Sequence, residues 1–405
     1  MSYRIKKFIM SSGERGCLIL ERESGLPVHY QNLYLTTMVR NRSATASTME
    51  IVATNLLIVS NFLRDRNINI EERIVLKKFM NIAEIEDLIR YAKQRFDKQK
   101  ITDVKAIKGK FIAKRTFGYR IHVISSYFMW LCGIIHSSKG IHAKYEVDFF
   151  INSIRAHLPR NSSLNLSDRE DRSLNEEEIK ELFITLSVGS DLNPFREDVR
   201  IRNRLIFSLL FQLGLRAGEL LNLRVDDLDL MDNTLSVIRR HDSKEDGRTY
   251  QPLVKTGERV MPLSDQLVGE IYNYISECRE KFTMKKKHKF LLVTHNSGKT
   301  AGEPLSISAY EKIISTLKRT NPKLSKLSGH RLRHSWNYLY SKEVGNSKLD
   351  NNHRDALRNY IMGWSKNSTM SDVYNNKYIA QQERETVIKV FNSARKLMSE
   401  SKNAN

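Results

Sequence analysis

A polar stretch without periodicity, residues 159–173, is the feature that most restricts how this chain of 405 residues can fold. Its Ser, Asn, Asp and Arg side chains follow neither the helical nor the strand period, which predicts an interdomain linker. A chain of this length also exceeds what one compact core usually holds. We therefore predict a mainly α protein with small β-sheets (an α+β class), divided into an N-terminal extension at 1–40, a helical domain at 41–158, the linker at 159–173, a second domain at 174–378 and a C-terminal helix or tail at 379–405.

Before the linker, short strands are predicted to precede a group of helices. Cys17–Glu21 and Val28–Tyr30 flank a Ser-Gly-Leu-Pro turn, which indicates a small hairpin. Ser47 and Glu50 form the Ser-x-x-Glu pattern of a capping box, and apolar residues follow at helical spacing. Further helices are predicted over about 71–97, 113–138 and 145–157.

After the linker, helices are predicted to alternate with short strands. Ser173 and Glu176 form a second capping-box pattern at the start of this part. The strands are predicted at Thr234–Ile238, Tyr250–Val254, Arg259–Pro262 and Phe290–Val293.

The net charge restricts the partners of the chain. Lys and Arg total 67 against 46 Asp and Glu, which gives a formal charge of +21. Such a charge attracts a polyanion, and counterions released from phosphates then contribute to the affinity. Anionic lipid or ribosomal RNA would also satisfy this charge, so composition alone indicates a polyanionic partner and no more.

The stretch from Lys98 to Arg120 concentrates this charge, with Asp103 as its single acid. A charge run is more often a solvated loop and helix end. Here nearly all charges have one sign and three aromatic residues are interleaved, which favours contacts to phosphates. The predicted nucleic-acid-binding residues are Lys105, Lys108, Lys110, Lys114, Arg115 and Arg120.

The three cysteines, Cys17, Cys132 and Cys278, are isolated in the sequence. This spacing indicates a reducing compartment and argues against a disulfide scaffold or a zinc finger. No apolar run of membrane-spanning length is expected, and the basic N-terminus lacks the apolar core of a signal peptide. A soluble intracellular protein is therefore expected.

The first chemically suggestive motif is Gly-Leu-Arg-Ala-Gly-Glu-Leu at 214–220. An apolar helix ends at Gly214 and another begins just beyond Arg216, so Arg216 is predicted in a tight turn between two packed helices. Taken alone, this arginine is explained as well by a helix cap or by a pair with Glu219.

The second motif is Gly-His-Arg-Leu-Arg-His-Ser-Trp at 329–336. On a helix, His330, Arg333 and His334 share one face. Two histidines at this spacing could hold a metal ion, but no glutamate lies between them as in His-Glu-x-x-His. No metal site is predicted.

Two more elements complete the set. Val254–Leu263 is predicted to form two short strands around a Gly turn, with Lys255 near the tip. Close to the C-terminus, Gly363 and Trp364 precede Tyr374. A tyrosine in such a place is usually structural, and this chain has 16 tyrosines.

Taken together and in this order, the elements resemble the motifs of the tyrosine recombinase (phage integrase) family. These motifs are an Arg in Gly-Leu-Arg-x-Gly-Glu-Leu, a β-hairpin Lys, His-x-Leu-Arg-His, Gly-His/Trp and a nucleophilic Tyr. The resemblance covers roughly residues 175–375 and implies a core-binding DNA-binding domain at 41–158 before an integrase-type catalytic domain. It assigns catalysis to Arg216, Lys255, His330, Arg333, Trp364 and Tyr374, with Glu219 and His334 in support.

The resemblance implies a site-specific recombinase or integrase, most simply that of a mobile element. Such an enzyme cleaves and rejoins duplex DNA through a 3′-phosphotyrosine intermediate and a four-way Holliday junction. It implies a homotetramer on double-stranded recombination sites, with accessory recombinases or DNA-bending proteins as further partners and no membrane. No cofactor is expected, and the expected location is the cytoplasm, in association with the nucleoid.

The residue types suit this chemistry. Arg216 and Arg333 offer permanently charged, bidentate donors for the negative charge that builds up during attack on a phosphodiester. Tyr374 would supply the attacking oxygen, and His330 would accept its proton or hold a phosphate oxygen. Lys255 would protonate the departing 5′ oxygen.

Trp364 can offer only its indole N–H and packing, so it would be a phosphate donor or a scaffold. The phosphotyrosine ester conserves the energy of the broken bond, so no nucleotide is required, and no Walker loop occurs in the sequence.

Three departures from the family pattern leave alternatives open. Tyr374 follows Trp364 by one position more than the commonest spacing, so Tyr378 competes as the nucleophile. Lys244 competes with Lys255. The gap between Arg333 and Trp364 contains an apparent insertion, Asn346–Arg358, which makes it longer than in the family pattern by roughly two helical turns. This insertion is predicted to be a loop that touches a neighbouring subunit.

Residues 379–398 have apolar residues at helical spacing. They are predicted to form a helix, which either folds back on its own domain or docks on a neighbouring subunit.

Two other functions also stay open. One is a DNA-binding regulator or accessory subunit that keeps the fold without catalysis. The other is a type IB topoisomerase, which uses similar chemistry as a monomer. Covalent capture of DNA would argue against the first function, and recombination between two defined sites would argue against the second.

Overall fold

A computed structural model describes residues 3–42, 44–97, 105–136, 143–159, 172–296, 298–345, 351–365 and 368. The chain divides into two compact units, Met1–Ser163 and Leu164–Asn405. Each unit has its own apolar core. Most of the predicted linker and all of the predicted helix at 379–398 lie outside the described residues.

The described part of the first unit combines helices with two β-hairpins. Helix α1 continues directly into a π-helical segment, Leu35–Arg40. In chain order the elements are β1 (Tyr3–Ile9), β2 (Arg15–Glu21), α1 (His29–Tyr34), α2 (Ala46–Asp65), α3 (Ile70–Val75), α4 (Ile82–Lys93), β3 (Gln94–Asp97), β4 (Lys105–Phe111), α5 (Lys114–His136) and α6 (Ala143–Arg155).

Helix α2 lies at the centre of the first unit. Its N-cap is Thr45, whose hydroxyl accepts a hydrogen bond from the Thr48 N–H, so the capping box predicted at Ser47 and Glu50 is wrong. Contrary to the sequence-based expectation, this helix is long and apolar enough to cross a membrane. However, 67% of its apolar window is buried inside the protein, where it packs against β2, α4 and α5. It is therefore a core helix.

The predicted strand Cys17–Glu21 is confirmed as part of β2, but its partner in the N-terminal hairpin is not the predicted one. Strand β1 pairs antiparallel with β2, whereas the predicted strand Val28–Tyr30 leads into α1. Lys6 and Lys7 interrupt the apolar alternation of β1, which hides this strand in the sequence. Because Cys17 and Ile19 on β2 are buried in the same core as α2, the hairpin belongs to the first unit and is not a separate extension.

The basic stretch contains a second hairpin. Helix α4 ends at Lys93, and β3 follows it and pairs antiparallel with β4. The helix predicted over about 71–97 is therefore two helices, α3 and α4, followed by a strand. Lysines at positions 105, 108 and 110 break the apolar alternation that would have indicated β4.

The described part of the second unit is a helical assembly with one small sheet. Short 3₁₀ turns at Val225–Asp227 and Pro322–Leu324 and a π-helical segment at Ile275–Arg279 connect some of its elements. In chain order the elements are α7 (Glu176–Thr185), α8 (Glu197–Leu213), α9 (Ala217–Leu220), β5 (Leu228–Asp229), β6 (Thr234–Val237), β7 (Arg259–Pro262), α10 (Asp265–Tyr274), α11 (Glu280–Thr283), α12 (Ile307–Thr320), α13 (Gly329–Gly345) and α14 (Asn351–Met362).

The sheet has the antiparallel order β5-β6-β7, with Leu235 opposite Met261. The strands predicted at Thr234–Ile238 and Arg259–Pro262 are thus confirmed. The strand predicted at Tyr250–Val254 is wrong, because Pro252 lacks the N–H that a ladder requires.

The strand predicted at Phe290–Val293 is reduced to isolated bridges. Phe290 pairs with Arg224, and Val293 pairs with Pro304. This apolar run is buried, and burial alone gave it the pattern of a strand.

Two boundaries in this unit also differ from the predictions. Asn175 and Glu178 form the capping box of α7, two residues beyond the predicted pair Ser173 and Glu176. Residues 351–358 of the predicted loop insertion lie in α14, while residues 346–350 are outside the described part.

The predicted α+β class, mainly helical with small sheets, is confirmed.

Candidate active site

The turn between α8 and α9 positions Arg216. Helix α8 ends at Leu213, and its C-cap Gly214 has a left-handed backbone with φ of 58°. A Cβ at this position would lie 3.0 Å from Met362 Cε and 3.1 Å from Trp336 Cγ, so glycine suits both the turn and the close packing. Arg216 follows as the extended N-cap of α9, which is the tight turn predicted for it.

A buried carboxylate, that of Glu219, organises the residues around Arg216. Glu219 Oε2 accepts a hydrogen bond from the Arg216 backbone N–H at 3.0 Å and another from Arg259 Nη2 at 2.9 Å. Its Oε1 accepts a hydrogen bond from Thr256 Oγ1. The Arg333 and Arg216 guanidiniums lie 3.9 and 3.7 Å from the same carboxylate.

The charge of this cluster is unbalanced. Burial by itself would raise the pKa of Glu219, but the charge and hydrogen bond of Arg259, together with Arg333 and Thr256, outweigh it and lower that pKa. The carboxylate is therefore ionised and faces three guanidiniums, so among the described residues that contact it positive charge is in excess. An anion bound beside the cluster would balance that excess.

Arg333 fixes the relative position of three segments. Its side chain is fully buried, Nη1 donates to the Gly214 carbonyl at 2.6 Å and Nη2 donates to the Met362 carbonyl at 2.9 Å. Its guanidinium also lies over the Trp364 ring, 5.6 Å from the centroid. Arg333 thus holds α13, the α8–α9 turn and the end of α14 together.

His330 and His334 lie on one face of α13, as predicted, and the structure adds that they form a hydrogen-bonded pair. Their Nε2 atoms are 3.1 Å apart and their rings meet edge to face. One Nε2 must donate and the other accept, so at least one of the two rings is neutral. Burial, followed by the charges of Arg333, Arg216 and Arg172, lowers the pKa of His330.

Arg216, His330 and Arg333 line one cleft of about 430 Å³. The cleft lies at the starts of α9 and α13 and along one side of α12, and Tyr310, Glu311 and Lys318 also contribute to its wall. Three of the predicted catalytic residues are therefore brought together although 117 positions separate Arg216 from Arg333 in the sequence.

Lys255 lies in the long connection between β6 and β7, and its side chain is exposed. Because residues 250–254 are not a strand, Lys255 is not at the tip of two short strands as predicted. Arg239 holds this loop by donating to the carbonyls of Lys255 and Thr256, at 3.2 and 2.6 Å. The competing Lys244 is exposed in the same connection.

Trp364 follows the end of α14. Its backbone N–H donates to the Asn359 carbonyl at 2.8 Å, and its half-buried ring contacts the Arg333 guanidinium. Tyr374 and the competing Tyr378 lie outside the described residues, so the nucleophile remains a prediction.

The predicted DNA-binding residues of the first unit differ in their placement. Lys105, Lys108 and Lys110 are on β4, and Lys114 and Arg115 are exposed at the start of α5. Arg120 is buried, and the prediction that it contacts phosphate is wrong. Its guanidinium donates to Asn55 Oδ1 at 3.1 Å and to the carbonyls of Ala92 and Gln94 at 2.6 and 3.0 Å, while burial lowers its pKa to about 10.

We expect an Arg120→Met substitution to destabilise the first unit by about 2–4 kcal/mol. The reason is that Asn55 and two carbonyl groups would lose their donor in the interior. Urea denaturation measures this loss, and Arg115→Met, at an exposed position of the same helix, is the matched control, with an expected change of less than about 0.5 kcal/mol. Equal stabilities of the two variants would contradict a structural role for Arg120.

Sequence reasoning missed Arg259 and Thr256 as members of the site. Arg259 shares the inward face of β7 with Met261. A charged residue at an inward position of a strand is unusual, because an unpaired buried charge is costly. The inward position of Arg259 on this strand could have revealed its role, because it indicates that the guanidinium has a buried partner.

Comparisons with known proteins agree with the geometry. The phage integrase family matches residues 172–381, which is just over half of the chain. The tyrosine recombinase XerD of Oceanobacillus iheyensis is 28% identical over 136 residues, which are 34% of this chain and 40% of that protein. XerC of Staphylococcus haemolyticus is 24% identical over 161 residues, or 40% of this chain and 45% of that protein. The chain thus matches less than half the length of these curated relatives.

Among solved structures, the Tn1549 transposon integrase in complex with a circular intermediate DNA has a TM-score of 0.52 with 17% identity, covering 88% of this chain and 99% of that chain. Another complex of the same integrase has a TM-score of 0.50 with 16% identity, covering 85% of this chain and 94% of that chain. At such identities the likeness shows the fold. The family match, the fold and the order of the site residues along the sequence lead to one conclusion: this chain belongs to the phage integrase family of tyrosine recombinases.

Proposed function

We propose that this protein is a site-specific DNA recombinase that cleaves and rejoins duplex DNA through a 3′-phosphotyrosine ester on Tyr374. The observation that carries the proposal is the convergence of Arg216, His330 and Arg333 on one cleft, behind which Glu219 is buried. The curated relatives that match part of this chain are named tyrosine recombinases, which supports the same function.

The charges of the cluster suit a phosphodiester. Three guanidiniums, those of Arg216, Arg259 and Arg333, surround the single carboxylate of Glu219. A phosphodiester brings one negative charge into the cleft, and attack on its phosphorus adds another. Because the donors are held in place before the substrate arrives, the transition state gains more from them than the ground state does.

In the proposed reaction, Tyr374 Oη attacks the phosphorus, a new P–O bond forms and the bond to the 5′ oxygen breaks. The phenolic proton passes to His330, whose lowered pKa keeps the imidazole neutral and able to accept it near neutral pH. The attack of a 5′ hydroxyl on the ester reverses these steps and rejoins the strand. Bond energy is conserved in the ester throughout.

Lys255 is the proposed donor of the proton to the departing 5′ oxygen. A Lys255→Met substitution should slow cleavage by about 10²–10⁴-fold. Cleavage should be restored when the bridging 5′ oxygen of the substrate is replaced by sulfur, because a thiolate leaves without protonation. The same comparison with Lys244→Met distinguishes the two lysines, since the sulfur substrate should rescue only the variant that lacks the acid.

The partners follow from the proposed reaction. Recombination joins two duplex sites, so we propose a homotetramer on double-stranded DNA, passing through a Holliday junction, in the service of a mobile element. Accessory recombinases or DNA-bending proteins would assist it. Lys114 and Arg115, which are exposed at the start of α5, are proposed phosphate contacts. The lysines of β4 are proposed for the same role. The net charge of +21 would favour association with DNA.

The experiment that tests the function is covalent capture of DNA. The protein is incubated with nicked duplexes made from the DNA that flanks its gene, so that the cleaved fragment diffuses away and the ester accumulates. An adduct that resists denaturant, and whose DNA maps to Tyr374 by peptide sequencing, is the expected result. Specific binding of such a duplex without any adduct would instead favour a DNA-binding regulator or accessory subunit.

A further inference from the structure

Tyr310 on α12 lies in the wall of the cleft and belongs to none of the sequence motifs. Its side chain is only 4% exposed, and its hydroxyl has no hydrogen-bond partner within the described part of the chain. Buried hydroxyl groups usually have a partner, because an unsatisfied one costs free energy. Tyr127 in the first unit is a second buried tyrosine of this kind, but Tyr310 lies in the wall of a cleft, where a ligand can accept a hydrogen bond from its hydroxyl.

A second buried tyrosine of the same unit shows the usual arrangement. Tyr274 is fully buried, and its hydroxyl lies 3.3 Å from His295 Nε2 and accepts a hydrogen bond from the Val293 N–H at 3.3 Å. Burial in this core is thus compatible with a satisfied phenol. What distinguishes Tyr310 from Tyr274 is its place beside the cleft.

The hydroxyl of Tyr310 is directed at the start of α13. A Cβ at Gly329 would lie 2.2 Å from this oxygen, and the next atom of the ring, Cζ, would be 3.5 Å away. The absence of a side chain at 329 therefore leaves room for the hydroxyl against the first turn of the helix.

This helix start favours an anion. The first backbone N–H groups of a helix have no partner inside it, and the helix dipole is positive at this end. Ser328 Oγ accepts a hydrogen bond from the Arg331 N–H, and Arg216 and His330 line the same cleft. The Tyr310 hydroxyl therefore lies beside the cationic groups of this cleft, whose wall also contains the exposed carboxylate of Glu311.

We propose that Tyr310 donates a hydrogen bond to the phosphate that this cleft binds, as a further substrate-contacting residue of the reaction. This inference rests on the proposed function and extends it to a residue outside the family motifs. Burial, followed by the nearby charge of Glu311, raises the pKa of the Tyr310 phenol. The group therefore stays protonated and serves as a donor, not as a second nucleophile.

A Tyr310→Phe variant tests the proposal, because it keeps the ring and removes only the hydroxyl. We expect cleavage of the nicked duplex to slow by about ten- to a hundredfold, the effect of losing one hydrogen bond to a charged group. The melting temperature without DNA should stay the same or rise by a few degrees, since an unsatisfied buried hydroxyl is removed. Inorganic phosphate should raise the melting temperature of this variant less than that of the unaltered protein.

Two further variants provide controls. Tyr274→Phe removes a hydroxyl that has partners, so it should lower the melting temperature and leave cleavage unchanged. Gly329→Ala should destabilise the unaltered chain, where the new Cβ would meet the hydroxyl, but should be tolerated together with Tyr310→Phe, where the nearest ring atom is 3.5 Å away.

The outcomes separate the inference from the proposed function. An unaltered protein that forms no adduct would refute the function, and the response to inorganic phosphate would still decide whether Tyr310 contacts an anion. Equal cleavage rates and equal phosphate responses with and without the hydroxyl would overturn the inference. A loss of melting temperature as large as that of Tyr274→Phe would also overturn it, because it would show that the hydroxyl stabilises the protein itself.

Discussion

A Tyr374→Phe variant is expected to bind its duplex as the unaltered protein does, within about twofold, and to form no detectable covalent adduct. Removing the nucleophile of an enzyme that works through a covalent intermediate costs at least about a thousandfold in rate. Binding should persist, because the guanidiniums of Arg216 and Arg333 do not depend on the phenolic oxygen. The same is true of the proposed phosphate contacts on β4 and at the start of α5. The measurements are a denaturing gel for the adduct and a mobility shift for binding.

Tyr378→Phe is the matched control for this prediction. It lies four positions further along the sequence, and it carries the same chemical group. It should form the adduct at the normal rate. If Tyr378→Phe loses the adduct and Tyr374→Phe keeps it, the assignment of the nucleophile is wrong, although the proposed class of reaction stands.

A Glu219→Gln substitution is expected to destabilise the second unit by about 3–5 kcal/mol, the usual effect of removing one partner from a buried ion pair. The amide has nearly the shape of the carboxylate, so packing is preserved while the charge is lost. Arg259 and Arg333 would then remain buried without the anion that they share. Urea denaturation followed by hydrogen exchange on peptides of the second unit measures the change.

The control is Glu277→Gln. Glu277 forms an ion pair with Lys281 at 3.9 Å on the surface, where its side chain is 63% exposed. Such pairs contribute little because water screens them, so the expected change is less than about 0.5 kcal/mol. If Glu219→Gln unfolds at the same urea concentration as this control, the buried carboxylate does not hold the guanidiniums in place.

The parts of the site that the sequence predicted are those with unusual residue types at fixed spacing. Arg216 follows a helix-ending glycine, and His330 and Arg333 lie on one helix face, so their local geometry could be derived from the sequence. Their convergence depends on contacts between distant segments, such as that of Arg333 with the Met362 carbonyl. No local pattern contains this information, and the prediction of a common site rested on the family resemblance.

Most of the predictions that failed concern charged residues. Arg120 and Arg259 have the side chain of a surface residue or DNA contact, yet each is buried and satisfied by groups far away in the sequence. Strand β1 was missed because Lys6 and Lys7 lie within it. For the two arginines the charge indicated a surface position, whereas tertiary partners determine the burial of such residues.

The end of α14 has a consequence for control of the reaction. The Gly363 carbonyl accepts a hydrogen bond from the Gly257 N–H at 2.8 Å, two residues from Lys255, and the Met362 carbonyl accepts one from Arg333. The chain that continues to Tyr374 starts from these same residues. In the proposed reaction, a displacement of that chain would move the proposed acid Lys255 and the guanidinium of Arg333 together with the proposed nucleophile.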